Sequence, residues 1–217
     1  MRRVRASSPA LDDILGDEIP VLDHGFVSVL DYMGNDGAVV EAARKSYKGT
    51  PRTEAEDRGL IRHMMREHHS SPFETGCDIK FAVRLPLFVE AQWVRHRTAK
   101  YCCWNQFSYR YTEADEEFFL PDEDAFRLQS TTNKQGSEGL LDVAAGQRIR
   151  NGFQRVTADA FMVYRDALAA GVSREQARAV LPQHIYTEKV IKVDLSNLLW
   201  FLQLRADPHA QQEIREY

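Results

Sequence analysis

The sequence predicts an α+β fold, with a central, mainly antiparallel β-sheet flanked by helices. Three observations point there. Cys77, Ile79, Phe81, Val83 and Leu85 alternate with Asp78, Lys80, Ala82 and Arg84, the period of a half-buried strand, and residues 185–193 repeat the pattern. Helical and strand patterns are mixed without regular strand–helix–strand alternation, which disfavours a doubly wound sheet. The chain also has no GxGxxG or Walker glycine loop of the kind that opens a dinucleotide-binding or P-loop frame.

In chain order, residues 1–20 carry Ser7, Ser8, Pro9 and scattered charge and are expected to form a loosely structured lead-in to a single domain spanning 21–217. Residues 21–32 are expected to hold a strand and 37–47 a helix. Thr53 and Glu56 have capping-box spacing ahead of a helix whose apolar stripe is Leu60, Ile61, Met64 and Met65, ending near His69. After the strand at 77–85, Pro86 suits the first turn of a helix running to about Arg97. Residues 98–120 read as loop and short strand, and 128–138 as a mobile loop. A long helix is expected over 140–170, stopped by Gly171 at a C′ position. Ser173 and Gln176 again have capping-box spacing, opening a helix that reaches Pro182. After the strand at 185–193 comes a helix over 196–205, and Asp207–Pro208 suits the cap and first turn of another.

The 217 residues are 43% apolar and 28% charged, enough to bury one globular core. A net charge of −4 argues against a general nucleic-acid binder. The apolar run at 195–204 is too short and too polar to span a membrane. Residues 11–19 carry acids where a signal peptide needs an apolar stretch. Three cysteines, two of them adjacent at 102 and 103, are not a disulfide framework, so a cytoplasmic home is expected.

The densest chemistry lies at residues 92–111, QWVRHRTAKYCCWNQFSYRY. On a helix Gln92, Arg95 and His96 share one face, and Arg97 extends the cationic group. Asn105, Gln106, Ser108 and Arg110 add amide, hydroxyl and guanidinium groups suited to phosphates and nucleobase edges. The plainer reading is that the basic residues complement a helix C-terminus. His63, His68 and His69 lack zinc-ligand spacing, so no metal is expected. No GxSxG elbow exists, and nothing supplies a base to activate Cys102 or Cys103.

Three separated signatures give these groups a context: HHSSPFET at 68–75, RHR with NQFSYRY at 95–111, and LRADPHAQQEI at 204–214, supported by AQWVRHR and ARAVLP. Together, and in this order, they resemble the flavin-dependent thymidylate synthases from about Val21 onward. That resemblance implies C5-methylation of a uracil nucleotide, dUMP or UMP, with FAD as cofactor and NADPH and methylene-tetrahydrofolate as cosubstrates. It implies a homotetramer with flavin sites built from several subunits, and no attacking enzyme cysteine.

Residue by residue, His69 and Ser71 match flavin contacts, with Glu74 closing that signature. Arg95, His96 and Arg97 match the Arg-His-Arg that holds flavin between subunits, and Ser46 matches a position near the cofactor's phosphates. Asn105, Gln106, Leu204 and His209 join the flavin set. Gln92, Arg95, Gln106, Ser108, Tyr109, Arg110 and Arg178 form the nucleotide set, and Arg205 matches the catalytic arginine that polarises the uracil ring.

The chain departs from that family's pattern in places. Ten residues separate Arg97 from Ser108, more than the usual spacing, which implies an insertion around 100–104. Gln106 stands where glutamate is usual, and Asp194, Ser196 and Trp200 differ from typical flavin-contacting positions. Family members continue beyond Tyr217, so a shortened C-terminus is expected. Two explanations stay open for the changes: drift in a dUMP methylase, or a specialised enzyme accepting the 2′-hydroxyl of UMP. Two rival classes also remain. One is a non-catalytic nucleotide-binding relic. The other is an RNA- or DNA-binding domain using the arginine–aromatic stretch at 93–111.

Overall fold

A computed structural model describes residues 4–45, 53–96 and 103–217. The chain begins with a short helix α1 (Pro9–Asp12) and a strand β1 (Ile19–Val21) that turns into β2 (Gly25–Met33). Of the lead-in expected to be loose, residues 5–12 are tied to β2. The Arg5 guanidinium donates to the Tyr32 carbonyl at 2.6 Å, and the Tyr32 hydroxyl accepts the Ser8 N–H and donates to Asp12. Gly34 follows with φ of +87°, where a Cβ would stand 1.9 Å from the Gly76 carbonyl oxygen, so only glycine fits this turn.

Helices α2 (Asp36–Arg44), α3 (Glu54–Arg66) and α4 (Ser71–Gly76) come next. The capping box of α3 forms as the spacing predicts: Glu56 N–H donates to Thr53 Oγ1, and the Glu56 carboxylate accepts the Thr53 N–H. Strand β3 (Asp78–Pro86) leads into α5 (Leu87–Trp93), with Pro86 as the N-cap. The helix tightens into a 3₁₀ turn at Val94–His96 rather than running on as α-helix, and Arg97 lies outside the described residues. β4 (Cys103–Gln106) follows. The inferred insertion falls mostly outside the described residues, and so does Ser46.

Residues 128–138, expected as loop, carry strand at both ends, with turns and bends over 130–136. β5 (Arg127–Gln129) and β6 (Ser137–Leu140) pair as a hairpin. Both strands are exposed, so no apolar period marks them. Side-chain bonds fold the tip instead: Glu138 accepts from the Thr131 N–H at 2.7 Å, the Thr131 hydroxyl and the Ser130 hydroxyl, contacts that hold its carboxyl below the usual range.

The long helix α6 (Val143–Ala169) starts on Asp142, which accepts the Ala145 N–H, and ends in a Schellman motif around Gly171. α7 (Arg174–Ala177) gives way to a 3₁₀ turn at Arg178–Val180, and Ser173 makes no side-chain cap, so that capping box does not form. β7 (Tyr186–Asp194) and α8 (Leu195–Arg205) follow, joined by Asp194, which caps α8 through the Asn197 N–H at 2.9 Å. Asp207–Pro208 opens no helix: the Asp207 carboxylate accepts the N–H of His209 and meets its Nδ1, and the Asp207 carbonyl accepts the Ala210 N–H, but the segment stays a single turn. The last helix, α9 (Gln212–Glu216), starts later.

The sheet order is β1-β2-β3-β7-β4, antiparallel throughout. β3 and β7, the two strands legible from alternation, are paired neighbours at its centre. Partners in an antiparallel ladder share a face. Ile79, Phe81, Val83 and Leu85 therefore line up with Val193, Ile191, Lys189 and Thr187 beneath the helices. Val83, Leu85, Val89, Ile191, Val193, Phe201 and Ile214 form one buried cluster there. A second joins β2, β3 and α2–α4, and a third packs α6 and α7 near Ile185. Among the described residues no helix is long and apolar enough to cross a membrane.

Candidate active site

One residue in the buried phase of β7 is charged. Lys189 points into the core between Thr187 and Ile191, and its ammonium pairs with Glu90 of α5, the two side chains being 1% and 8% exposed. Its Nζ also lies 4.2 Å from the centre of the Trp93 ring, a cation–π contact. Trp93 stacks on Phe201 of α8 at 4.6 Å between centroids, and the His96 ring stands edge-on to Phe201 at 5.1 Å. His96 Nε2 accepts a hydrogen bond from Arg205 Nε at 2.6 Å. A continuous run of packed groups thus leads from the buried ion pair to the last residue of α8.

The acceptor role fixes the imidazole tautomer, with the proton on Nδ1. Burial first, and the Arg205 charge second, push the His96 pKa below its ordinary value, so the neutral ring is favoured. Gln92 of α5 donates to the Gln211 side chain just ahead of α9, which folds the C-terminal segment over the same spot. Arg95 is exposed beside it, as are Leu204 and His209. His209 Nδ1 is held by Asp207, which leaves Nε2 facing outward.

A second group gathers at α7. Arg110 lies 3.6 Å from the Glu175 carboxylate, and Arg178 Nε donates to the Glu175 carbonyl at 3.4 Å. Two guanidiniums distant in sequence are thereby brought to one acidic residue, and both remain exposed. Ser108 Oγ accepts the Arg110 N–H at 3.3 Å. Gln106 donates to the Thr187 hydroxyl at 3.3 Å, and Asn105 is exposed on β4. The Tyr109 hydroxyl donates to the Tyr186 carbonyl inside the protein, and burial pushes its pKa up to about 12. It braces the loop after β4.

His69, Ser71 and Glu74 form a third, exposed group at the α3–α4 junction. It belongs to the opposite end of α8 from Arg205: Leu195, the first residue of α8, bonds to the Cys77 carbonyl just past α4. Eleven helical residues span about 15 Å. Within one chain, then, the expected residues form three patches rather than one pocket. A cavity of about 940 Å³ lies between the β5–β6 hairpin, Arg150 and the C-terminal segment. It shares His209 and Gln211 with the Arg205 patch, but Arg95, Arg110, Arg178 and Arg205 do not line it. Cys77 is buried, and that burial raises its pKa; Cys103 is exposed on β4, and Cys102 lies outside the described residues.

Sequence reasoning missed Glu90, Lys189, Thr187, Glu175 and Gln211. The one available signal was Lys189, a cation in the inward phase of an otherwise apolar strand, which demands a buried partner.

Residues 28–217 match the family model described as thymidylate synthase complementing protein. The flavin-dependent thymidylate synthase of Gluconobacter oxydans (strain 621H) is 46% identical over 98% of this chain and 70% of its own length. That of Anaplasma marginale (strain St. Maries) is 50% identical over 96% of this chain and 70% of its own. Among solved structures, the UMP/dUMP methylase PolB from Streptomyces cacaoi, bound with 5-Br dUMP, superposes with a TM-score of 0.79 at 32% identity. It covers 91% of this chain and 88% of that one. The same protein bound with 5-Br UMP gives 0.78 at 33%.

Proposed function

The chain belongs to the thymidylate synthase complementing protein family, and from that premise we propose that Arg205 is the catalytic arginine of a flavin-dependent C5-methylation of a uracil nucleotide. The observation that carries this assignment is the Arg205 Nε–His96 Nε2 bond, which anchors the guanidinium at its branch point and leaves both Nη groups for a ligand. Uracil C5 becomes nucleophilic as negative charge develops on the ring carbonyls and N3. A fixed guanidinium stabilises that charge as it forms.

The donor set fits a flavin dinucleotide. Arg95 offers an exposed cation to a diphosphate, Ser71 a hydroxyl, and His69 and His209 exposed ring nitrogens. When bound, FAD supplies the reducing equivalents it receives from NADPH, while methylene-tetrahydrofolate supplies the carbon. The residues of this chain hold and orient. Arg110 and Arg178 grip the nucleotide phosphate, for which the Glu175 carboxylate stands in on Arg110. Gln92, Gln106 and Ser108 bind the nucleotide's polar edges. Asn105 and Leu204, both exposed, would complete the cofactor's surroundings.

The three separate patches support flavin sites completed by neighbouring subunits, as in a homotetramer. So does the apolar surface left on the helices: Val156 is 61% exposed and Trp200 52%. Light scattering of the purified chain should give the mass of a tetramer. A monomer that binds FAD tightly contradicts the composite site.

dUMP is the principal substrate in this reading, since the thymidylate synthases share 46–50% of their residues with this chain and the UMP/dUMP methylase 32–33%. A second reading, UMP, is favoured by the neutral Gln106 held on Thr187. Initial rates on the two nucleotides test both. Absence of turnover with UMP ends the second reading, and absence of turnover with dUMP ends the first. Arg110→Ala and Arg178→Ala should each raise the nucleotide KM about 10–100-fold, the loss of one charged hydrogen bond, with a smaller change in kcat.

A further inference from the structure

We propose that His96, acting as a neutral acceptor through Nε2, is the positioning residue for Arg205. This deepens the assignment of Arg205 above and rests on it.

Arg205 ends α8, and its long side chain would otherwise sweep a wide arc at the protein surface. Nε is the branch point of the guanidinium. A hydrogen bond there, at 2.6 Å, fixes the plane of the fork without using either Nη group. Among the described residues those Nη groups take no partner. The acceptor itself is immobilised. Its ring stands at 87° to Phe201, which is 7% exposed and stacked on Trp93, which in turn lies against the Lys189 ammonium paired with Glu90. Four elements, α5, the 3₁₀ turn, β7 and α8, thus hold one imidazole nitrogen in place.

Protonation at Nε2 would remove the acceptor and set an imidazolium against a guanidinium. The charged groups around His96 do not relieve that repulsion. Arg205 faces it from α8 and Arg95 adjoins it in the turn. Glu90 of α5 and Lys189 of β7 neutralise each other behind Trp93. Asp207, beyond the end of α8, is engaged with His209. Arg205 itself depresses the His96 pKa, after burial, so the arrangement favours the form it needs. The expected consequence is an acid limb below pH 6.5 in the methylation step, the ordinary histidine pKa being the upper bound.

The experiment compares His96→Gln with His96→Phe in the FAD-loaded enzyme, alongside nitrogen-15 NMR of histidine-labelled protein. Glutamine keeps an acceptor oxygen at every pH, whereas phenylalanine keeps only ring volume. His96→Gln should be at least about tenfold faster in kcat than His96→Phe, the worth of one such bond, with similar nucleotide KM, and should lose the wild-type acid limb. Flavin absorbance, measured on both, separates this role from cofactor retention. In the wild type the nitrogen-15 shift should show an unprotonated Nε2 at pH 7, titrating below 6.5, and in Arg205→Ala that titration should move up. Equal kcat loss in the two variants overturns the proposal, as does loss of flavin from both or an acid limb that survives in His96→Gln. A His96 titration indifferent to Arg205→Ala also overturns it. If instead the wild type methylates neither nucleotide, the functional reading fails, while the NMR titration still decides whether His96 holds Arg205.

Discussion

Arg205→Ala should lower kcat for nucleotide methylation by about 10²–10³-fold, the usual cost of removing one preorganised group from developing negative charge. Reduction of FAD by NADPH involves no polarised uracil and should change far less. The split matters because Arg205 is also packed in the fold: it is half-buried and bonded to His96. A folding defect would depress both half-reactions together. Arg205→Lys keeps the charge but loses the planar fork and its Nε donor, so it should fall between the wild type and alanine. Stopped-flow absorbance resolves flavin reduction from its nucleotide-dependent reoxidation. An alanine variant within about tenfold of wild type in reoxidation would remove Arg205 from the chemistry.

The largest effect on stability is expected at the Glu90–Lys189 pair, where Glu90→Gln or Lys189→Met alone leaves one charge uncompensated in the core. Breaking such a pair costs about 3–5 kcal/mol. For a chain of this size that corresponds to about 6–20 °C in Tm. Replacing both partners, Glu90→Leu with Lys189→Met, removes the uncompensated charge and should recover most of the loss. Thermal melts of the two single variants and the double variant check this. The double variant also separates stability from positioning: Trp93 loses the ammonium on its face, so kcat should remain low even where the fold is restored. If the singles melt like the wild type, the pair is not a buried ion pair in solution.

The elements that were legible share one property: their signal is local. β3 and β7 showed their alternation because one face of each is buried and the other is polar. Thr53 with Glu56, and Gly171 after α6, declared their helix ends through short-range hydrogen bonds. The β5–β6 hairpin was hidden because both its strands are exposed and its tip is closed by Glu138, Ser130 and Thr131, which read as loop residues. The start of α9 lies beyond Asp207–Pro208 because the turn that Asp207 closes with Ala210 is not continued, and helix begins only at Gln212. At the site, His96 and Arg110 were legible from spacing and side-chain chemistry, Arg205 and Arg178 only as motif members. That Glu175 gathers two of them, and that Glu90, Lys189, Trp93 and Phe201 stand behind the other two, follows from contacts between elements remote in sequence. Tyr109, placed in the nucleotide set by resemblance, has its hydroxyl bonded to the Tyr186 carbonyl inside the protein, a contact between remote segments that no local pattern signals.

The central claim is methyl transfer to C5 without an enzyme nucleophile. It is tested most directly by incubating the purified chain with dUMP, methylene-tetrahydrofolate and NADPH, with and without FAD, and identifying the nucleotide by mass spectrometry and proton NMR. Thymidylate formed only in the presence of FAD, and still formed by a variant with Cys77, Cys102 and Cys103 replaced by alanine, is the predicted result. Methylation without flavin, or its abolition in a folded cysteine-free variant, would contradict it.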